Sequence, residues 1–335
     1  MNKSILNLLC KITIVILFTV GVNVVLFFLP INYDFILSSI NNKKFSLGYP
    51  GNKIVFIGGS NVLVGIDSGY VKGKYTSGYQ PVNMGLYFGY GLPFFLETVK
   101  PYVRAGDIYV ISPEYDLLME GQYPNDNARK WCLAANPIYS IKNVYTSQLL
   151  DLPRDIMLLN KNKLYCFIKL LLRRRNVFTD DGYVYYKDTF DSYGDPKVEF
   201  FKKSTDGSME RTVGRKIDKE TIKLINEFYV YCSNRMAKVV FAYPCYPVEE
   251  YSKNPALIDS LHLYLQKNLS APLMGRPQDY MLPMDYFTNS VHHLNDRGKS
   301  CRTQILLSIM AKNHIIASGN SLPSLQSSQE FGEPQ

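Results

Sequence analysis

Histidine is scarce in this chain, with four in 335 residues, and none of the six cysteines stands in a C-x-x-C pair. That combination removes the zinc-ribbon and thioredoxin-like classes, whose ligands or redox thiols come at fixed short spacings. Cys10 falls in an apolar run, and Cys132, Cys166, Cys232, Cys245 and Cys301 are scattered through the rest. An odd, dispersed set of five leaves room for one or two disulfides in an oxidising compartment but defines no disulfide framework. Charge blocks are nearly absent too. The one dense basic run, Arg173-Arg174-Arg175, follows an apolar segment, as cations do at a helix C-terminus. The 37 Lys plus Arg against 29 Asp plus Glu, a net +8, are therefore spread along the chain. Such a surplus suits an anionic polymer or lipid headgroup and does not indicate nucleic acid. No internal repeat is visible, which removes solenoids and propellers.

Long apolar runs are limited to one. From Ile12 to Leu29 only Thr13, Thr19, Gly21 and Asn23 are not fully apolar, and Ile5 to Cys10 extends the run upstream. About twenty apolar residues cross a bilayer, so residues 5–30 read as a membrane span. Pro30-Ile31-Asn32-Tyr33 supplies no small-x-small cleavage site, which favours an uncleaved anchor over a signal peptide. Lys3 and Lys11 put the N-terminus in the cytoplasm and the remainder outside, at the cell membrane. A second span over 156–172 is excluded by Asn160, Lys161, Asn162, Lys163 and Lys169.

Beyond the anchor, residues 31–50 read as a polar stalk ending in the turn signal Gly48-Tyr49-Pro50-Gly51. Apolar runs at 53–57, 81–86, 107–112 and 238–244 are separated by helical spacings, the mark of βαβ units and a parallel sheet. The helix after Ser60 is expected to reach about Lys74. Others are expected over 93–103, 219–235, 254–269 and 300–311. Between about Glu120 and Asp218 the pattern breaks, and this stretch reads as an insertion or cap, with a strand or hairpin arm over Gly182–Lys187 and a turn at Gly194-Asp195-Pro196. The expected layout is an anchor (1–30), a stalk (31–50), an α/β domain (51–315) and a disordered tail (316–335), with 46 % apolar residues to build its core.

Two stretches carry chemistry. In the first, Lys53-Ile54-Val55-Phe56-Ile57 ends in Gly58-Gly59-Ser60. The glycines permit a sharp turn, and Ser60 lands at the C-terminal edge of the sheet, where open α/β sheets hold their sites. In the second, Met284 to Gly298 contains two of the four histidines, His292 and His293. Adjacent histidines point in different directions and no further histidine lies nearby, so a metal site is not expected. One histidine caps the following helix, or one serves Ser60 as a general base.

Together these blocks resemble the SGNH (GDSL-like) hydrolase superfamily, in its membrane-anchored cell-envelope branch, over roughly residues 52–313. Gly58-Gly59-Ser60 stands where that superfamily has Gly-Asp-Ser, and Asn83-Met84-Gly85 resembles its second block. Ser112-Pro113-Glu114-Tyr115 stands where a Gly-x-Asn-Asp block is usual, and His293-Leu294-Asn295 with Gly298 resembles the His-Leu-x-x-x-Gly ending. The resemblance implies a flavodoxin-like three-layer α/β fold and an acyl-serine mechanism. Ser60 would be the nucleophile, His293 the base (His292 the alternative), and Asp285 or Asn289 the residue that orients the imidazole. The amides of Ser60 and Gly85 would form the oxyanion hole. The implied activity is that of a cofactor-independent esterase or O-acyltransferase acting on an acylated, typically O-acetylated, envelope polysaccharide, with a membrane-bound O-acyltransferase as a possible partner. Glu114 departs from the pattern, because an ionised carboxylate cannot donate to an oxyanion. Two rivals remain: an inactive scaffold of the same fold, and a binding protein holding phosphate on the Gly58-Gly59-Ser60 turn.

Overall fold

A computed structural model describes residues 3–29, 31, 35–75, 78–119, 126–143, 149–172, 190–197, 216–253 and 255–317. The chain opens with α1 (Lys3–Phe28), an exposed helix long and apolar enough to cross a membrane. Next comes α2 (Phe35–Leu47), which replaces the expected stalk. Its Leu37, Ile40 and Leu47 are buried, and Lys43 Nζ donates to Asn83 O at 2.7 Å and to Gly194 O at 2.8 Å. Polar residues between the apolar ones hid that buried face from the sequence.

The first strand, β1 (Lys53–Gly58), is buried along its whole length, as a strand covered on both faces should be. A single helical turn, α3 (Ser60–Leu63), follows, and only after a break does α4 (Ser68–Tyr75) begin. The expected continuous helix is thus two. A Cβ on Gly65 would lie 2.1 Å from Asn61 O, and Asp67 Oδ1 accepts from Tyr70 N at 2.8 Å, restarting the helix as a cap. Then come β2 (Gln80–Gly85), α5 (Leu92–Val99) and β3 (Ile108–Ile111).

The stretch between β3 and the next strand of the sheet supplies α6 (Asp126–Ala135), α7 (Pro137–Lys142) and α8 (Leu152–Leu171). Its base is closed by a bridge between Met119 and Ile217. Residues 190–197 return to β2, where Asn83 N donates to Tyr193 O at 2.8 Å and Gly194 turns with a φ of +88°. The expected arm at Gly182–Lys187, like the tail from 318, lies outside the described residues.

The α/β pattern resumes with α9 (Lys219–Ser233) and β4 (Lys238–Ala242). After these come β5 (Tyr246–Pro247), α10 (Val248–Tyr251), α11 (Pro255–Asn268), β6 (Leu273–Met274), β7 (Met281–Leu282) and α12 (Asp296–Lys312). The central sheet has the order β2-β1-β3-β4-β6, all parallel, and β5 pairs with β7 beside it. From β1 the chain moves first to one side, to β2, and then back across to β3. That reversal makes the C-terminal ends of β1 and β3 the switch point, where a crevice opens in sheets of this kind. All six cysteines are free thiols, so the scattered set forms no disulfide.

Candidate active site

Ser60 stands at that switch point, the first residue past the β1 turn. The turn is tight because it has to be. A Cβ on Gly58 would lie 2.4 Å from Ser112 O, and one on Gly59 would lie 2.3 Å from the Glu114 carboxylate. The loop ahead of α12 faces it. There Thr288 N donates to His293 O at 2.8 Å, and Asn295 N donates to Tyr286 O at 2.9 Å. These bonds fold residues 286–295 into a narrow, hairpin-like loop with His293 and Asn289 near its tip. Asn295, rather than a histidine, caps α12, its side chain accepting from Gly298 N at 3.0 Å.

The loop delivers His293 Nε2 to 2.8 Å from Ser60 Oγ, and His293 Nδ1 to 2.8 Å from Asn289 Oδ1. An amide oxygen only accepts, so Nδ1 carries the proton and Nε2 is left to accept from the serine hydroxyl. This is the tautomer a general base requires. Ser60 and His293 are half-buried and Asn289 is exposed, so the set opens to water. Ser60, His293 and Asn289 are brought together; Asp285 is not. Its Oδ2 lies 3.3 Å from Arg297 Nη1 in an exposed pair, and its carbonyl is held by Asn295 Nδ2 at 2.7 Å, which turns the side chain away from the imidazole.

His292 also points elsewhere. It is buried, with Nε2 3.6 Å from Asp116 Oδ2 and its ring against Tyr246 at 5.9 Å between centroids. Nor is Gly85 open to a substrate. Its amide donates to Asn83 Oδ1 at 2.9 Å, and a Cβ there would fall 2.0 Å from Leu63 N. This glycine lets α3 lie directly on β2; its amide belongs to the fold.

Glu114 occupies the space in front of the turn. Its carboxylate, 2 % exposed, accepts from Gly59 N at 3.2 Å and Asn61 N at 3.0 Å, with Oε1 3.3 Å from Ser60 Oγ. The orphan amides at the start of α3 are therefore capped by a side chain arriving from the loop after β3. A phosphate on this turn would have to displace that carboxylate, which counts against the binding-protein reading. Ser60's own amide has no partner among the described residues.

Behind the turn lies Arg302 of α12, wholly buried, its guanidinium pulled below the ordinary arginine range by that burial. Its Nη1 donates to Asn61 O and its Nη2 to Ser112 Oγ, the latter at 2.8 Å. Thr303, the next residue, accepts from Asp67 N at 3.0 Å. The helix that follows the histidine loop is thereby fastened to the serine turn. Sequence reasoning missed both Arg302 as this clamp and Glu114 as a cap, since each acts across a long separation in the chain. Among the described residues, no cluster of three or more His, Cys, Asp or Glu is placed to hold a metal.

No family model matches the chain, and no curated protein does.

Proposed function

We propose that this protein is a membrane-anchored serine acyl-transfer enzyme of SGNH type, an esterase or O-acyltransferase working on an acylated cell-envelope polysaccharide. The observation that carries the reading is the continuous contact Ser60 Oγ, His293 Nε2, His293 Nδ1, Asn289 Oδ1, with 2.8 Å at both polar steps. Nucleophile, base and orienting group stand in the order acyl transfer requires. Ser60 Oγ attacks the ester carbonyl while His293 takes its proton. Collapse of the tetrahedral intermediate releases the sugar alcohol, which leaves with that proton. Water or an acceptor hydroxyl then attacks the acyl-serine, giving its proton to His293, and Ser60 is regenerated. Asn289 holds the imidazole in place without the charge that would stabilise imidazolium.

Two of the departures from the superfamily's motifs, Gly59 and Glu114, are one contact. An aspartate at position 59 and a carboxylate at 114 compete for one volume, because a Cβ on Gly59 already meets the Glu114 oxygens. With Glu114 filling that space, position 59 of this chain takes glycine. With Gly59 and Asn61 amides capped and Gly85 turned to Asn83, the Ser60 amide is the remaining donor for an oxyanion.

The same carboxylate favours a second reading, a non-catalytic scaffold of this fold that binds polysaccharide or a membrane-bound acyltransferase, because negative charge beside the serine opposes a developing oxyanion. The flavodoxin-like three-layer fold, the role of the insertion as a cap, and placement of the α/β domain outside a single-pass anchor belong to the proposal, supported by the parallel sheet and the apolar α1. The test is labelling of the full chain in detergent by a fluorophosphonate, against Ser60→Ala and His293→Ala. Labelling that is lost in both variants supports an activated serine. Folded wild-type protein that stays unlabelled leaves the scaffold.

A further inference from the structure

The helix α8 has two apolar sides. The inward side places Leu159, Asn160, Lys163 and Cys166 in buried positions. On the opposite side Met157, Leu164, Ile168 and Leu171 follow one another at intervals of seven, four and three along one face of the helix, with Lys161 between the first two. Met157 is 68 % exposed and Leu171 66 %, with Tyr165, Phe167 and Leu172 exposed around them. A row of large apolar side chains facing outward calls for a cover.

What the inward side holds tells where the helix sits. Lys163 Nζ donates at 2.7 Å to Phe27 O, a carbonyl left over at the C-terminus of α1, and at 2.8 Å to Leu29 O just beyond it. Asn160 Nδ2 donates to Asn23 Oδ1 and Asn23 O, both at 3.0 Å. Asn23 is a polar residue in the apolar C-terminal half of α1, and α8 gives its side-chain oxygen a partner that lipid cannot. Phe27 packs with Leu133 and Leu159 to complete the joint. Asn23 lies five residues below the end of α1 at Phe28. At 1.5 Å per residue that is about 8 Å into the apolar layer, within the roughly 5–10 Å at which interfacial helices settle.

We propose that α8 lies in the membrane interface at the C-terminal end of α1, its Met157-Leu164-Ile168-Leu171 stripe covered by lipid. The occupant is a lipid surface because four hydrogen bonds fasten α8 to the C-terminal end of α1, an exposed helix long and apolar enough to cross a membrane. Lys161 and Lys169 are the cations of the helix that reach headgroups, Lys169 with its ammonium over the Tyr165 ring at 4.3 Å. A basic run, Arg173-Arg174-Arg175, comes directly after it in the sequence, as suits anionic lipid. A full span is still excluded by those charges; a helix lying flat is not. Since the insertion that carries α8 also carries α6, whose Trp131 stands 5.5 Å from Tyr87 in the loop after β2, docking α8 fixes the height of the serine crevice above the bilayer.

The inference rests on α1 being embedded, and the experiment separates the two. Trp131 is the chain's only tryptophan. In a Trp131→Phe background, single tryptophans at Leu17, Met157, Ile168 and Leu263 are compared in the full chain, reconstituted into vesicles of phosphatidylcholine and phosphatidylglycerol with or without brominated acyl chains. Loss of emission at Leu17, Met157 and Ile168 in brominated lipid, with Leu263 on α11 unchanged, is the expected result. Quenching at Leu17 alone overturns the inference and leaves the anchor standing. No quenching at Leu17 or at α8 overturns both. Should Trp131→Phe fail to fold, the same positions are read with Trp131 retained and its own quenching subtracted, with the same outcomes.

Discussion

Asn289 Oδ1 sits 2.8 Å from His293 Nδ1, in the place where a carboxylate would both orient the imidazole and share its charge. The amide does the first and not the second. Asn289→Asp supplies the charge without changing shape, so under the proposed acyl-transfer mechanism it stabilises the imidazolium that forms as Ser60 is deprotonated. Fluorophosphonate labelling is expected to rise about tenfold, or ~1.4 kcal/mol of barrier. Asn289→Ala frees the ring to turn and lowers labelling. An unchanged rate in folded Asn289→Asp protein would remove Asn289 from the relay.

Glu114 meets Ser60 from the other side, and its two effects oppose each other. As a cap it stabilises the turn: Glu114→Gln puts an NH2 group against an amide donor and loses a charge-assisted bond at Gly59 or Asn61. The expected cost is about 1–3 kcal/mol of stability, read by denaturant unfolding. As a charge it opposes an oxyanion, so labelling per folded molecule should increase in the same variant. If stability falls with no gain in labelling, Glu114 is a cap alone.

The residues legible in the sequence were those whose partners are close in the chain or whose chemistry needs a fixed turn. Ser60 was visible from its two glycines, and His293 with Asn289 from a four-residue separation inside one loop. Asp285, only four residues further back, is an equal candidate in the sequence; in the structure Asn295 captures its carbonyl and Arg297 its carboxylate. Glu114 registered as a departure from a motif, because nothing local shows that a residue 54 positions away will cap the serine turn. For Gly85 the family resemblance implies a donor where the structure has a close approach. The helix α2 passed for a stalk since its polar residues outnumber the buried apolar ones, and Lys43, the least expected of its buried residues, is hydrogen-bonded by backbone from two distant segments.

Gly85 makes the distinction between donor and spacer testable. A Cβ at this position would lie 2.0 Å from Leu63 N and 2.4 Å from Leu63 Cα, which are backbone atoms with no rotamer to escape by. Gly85→Ala must therefore push α3 off β2, at a cost of about 1–3 kcal/mol or more, as over-packing of a close-packed interior commonly brings. The drop should appear in thermal or denaturant unfolding of the full chain. Normal stability with lost labelling would instead return Gly85 to the oxyanion hole.

Lys43 gives the protein a pH dependence of unusual sign. Burial brings its pKa down from 10.5 to about 7, against the opposing pull of Asp195 and Asp191, while Lys299 pushes the same way as burial. Between those two values the unfolded chain holds a proton that the folded chain has released, so this residue makes stability rise with pH. The contribution is level below about pH 7, climbs by up to about 1.4 kcal/mol per pH unit through the window, and levels again above the unfolded pKa. Lys43→Met keeps the length of the side chain and removes the titration, although it forfeits the bonds to Asn83 O and Gly194 O. Unfolding free energies of both proteins, measured from about pH 7 to pH 10, should diverge, with the wild type gaining on the variant at each step. Parallel curves would mean that Lys43 keeps its proton in the folded state, the ammonium being held by those carbonyls strongly enough to cancel the effect of burial.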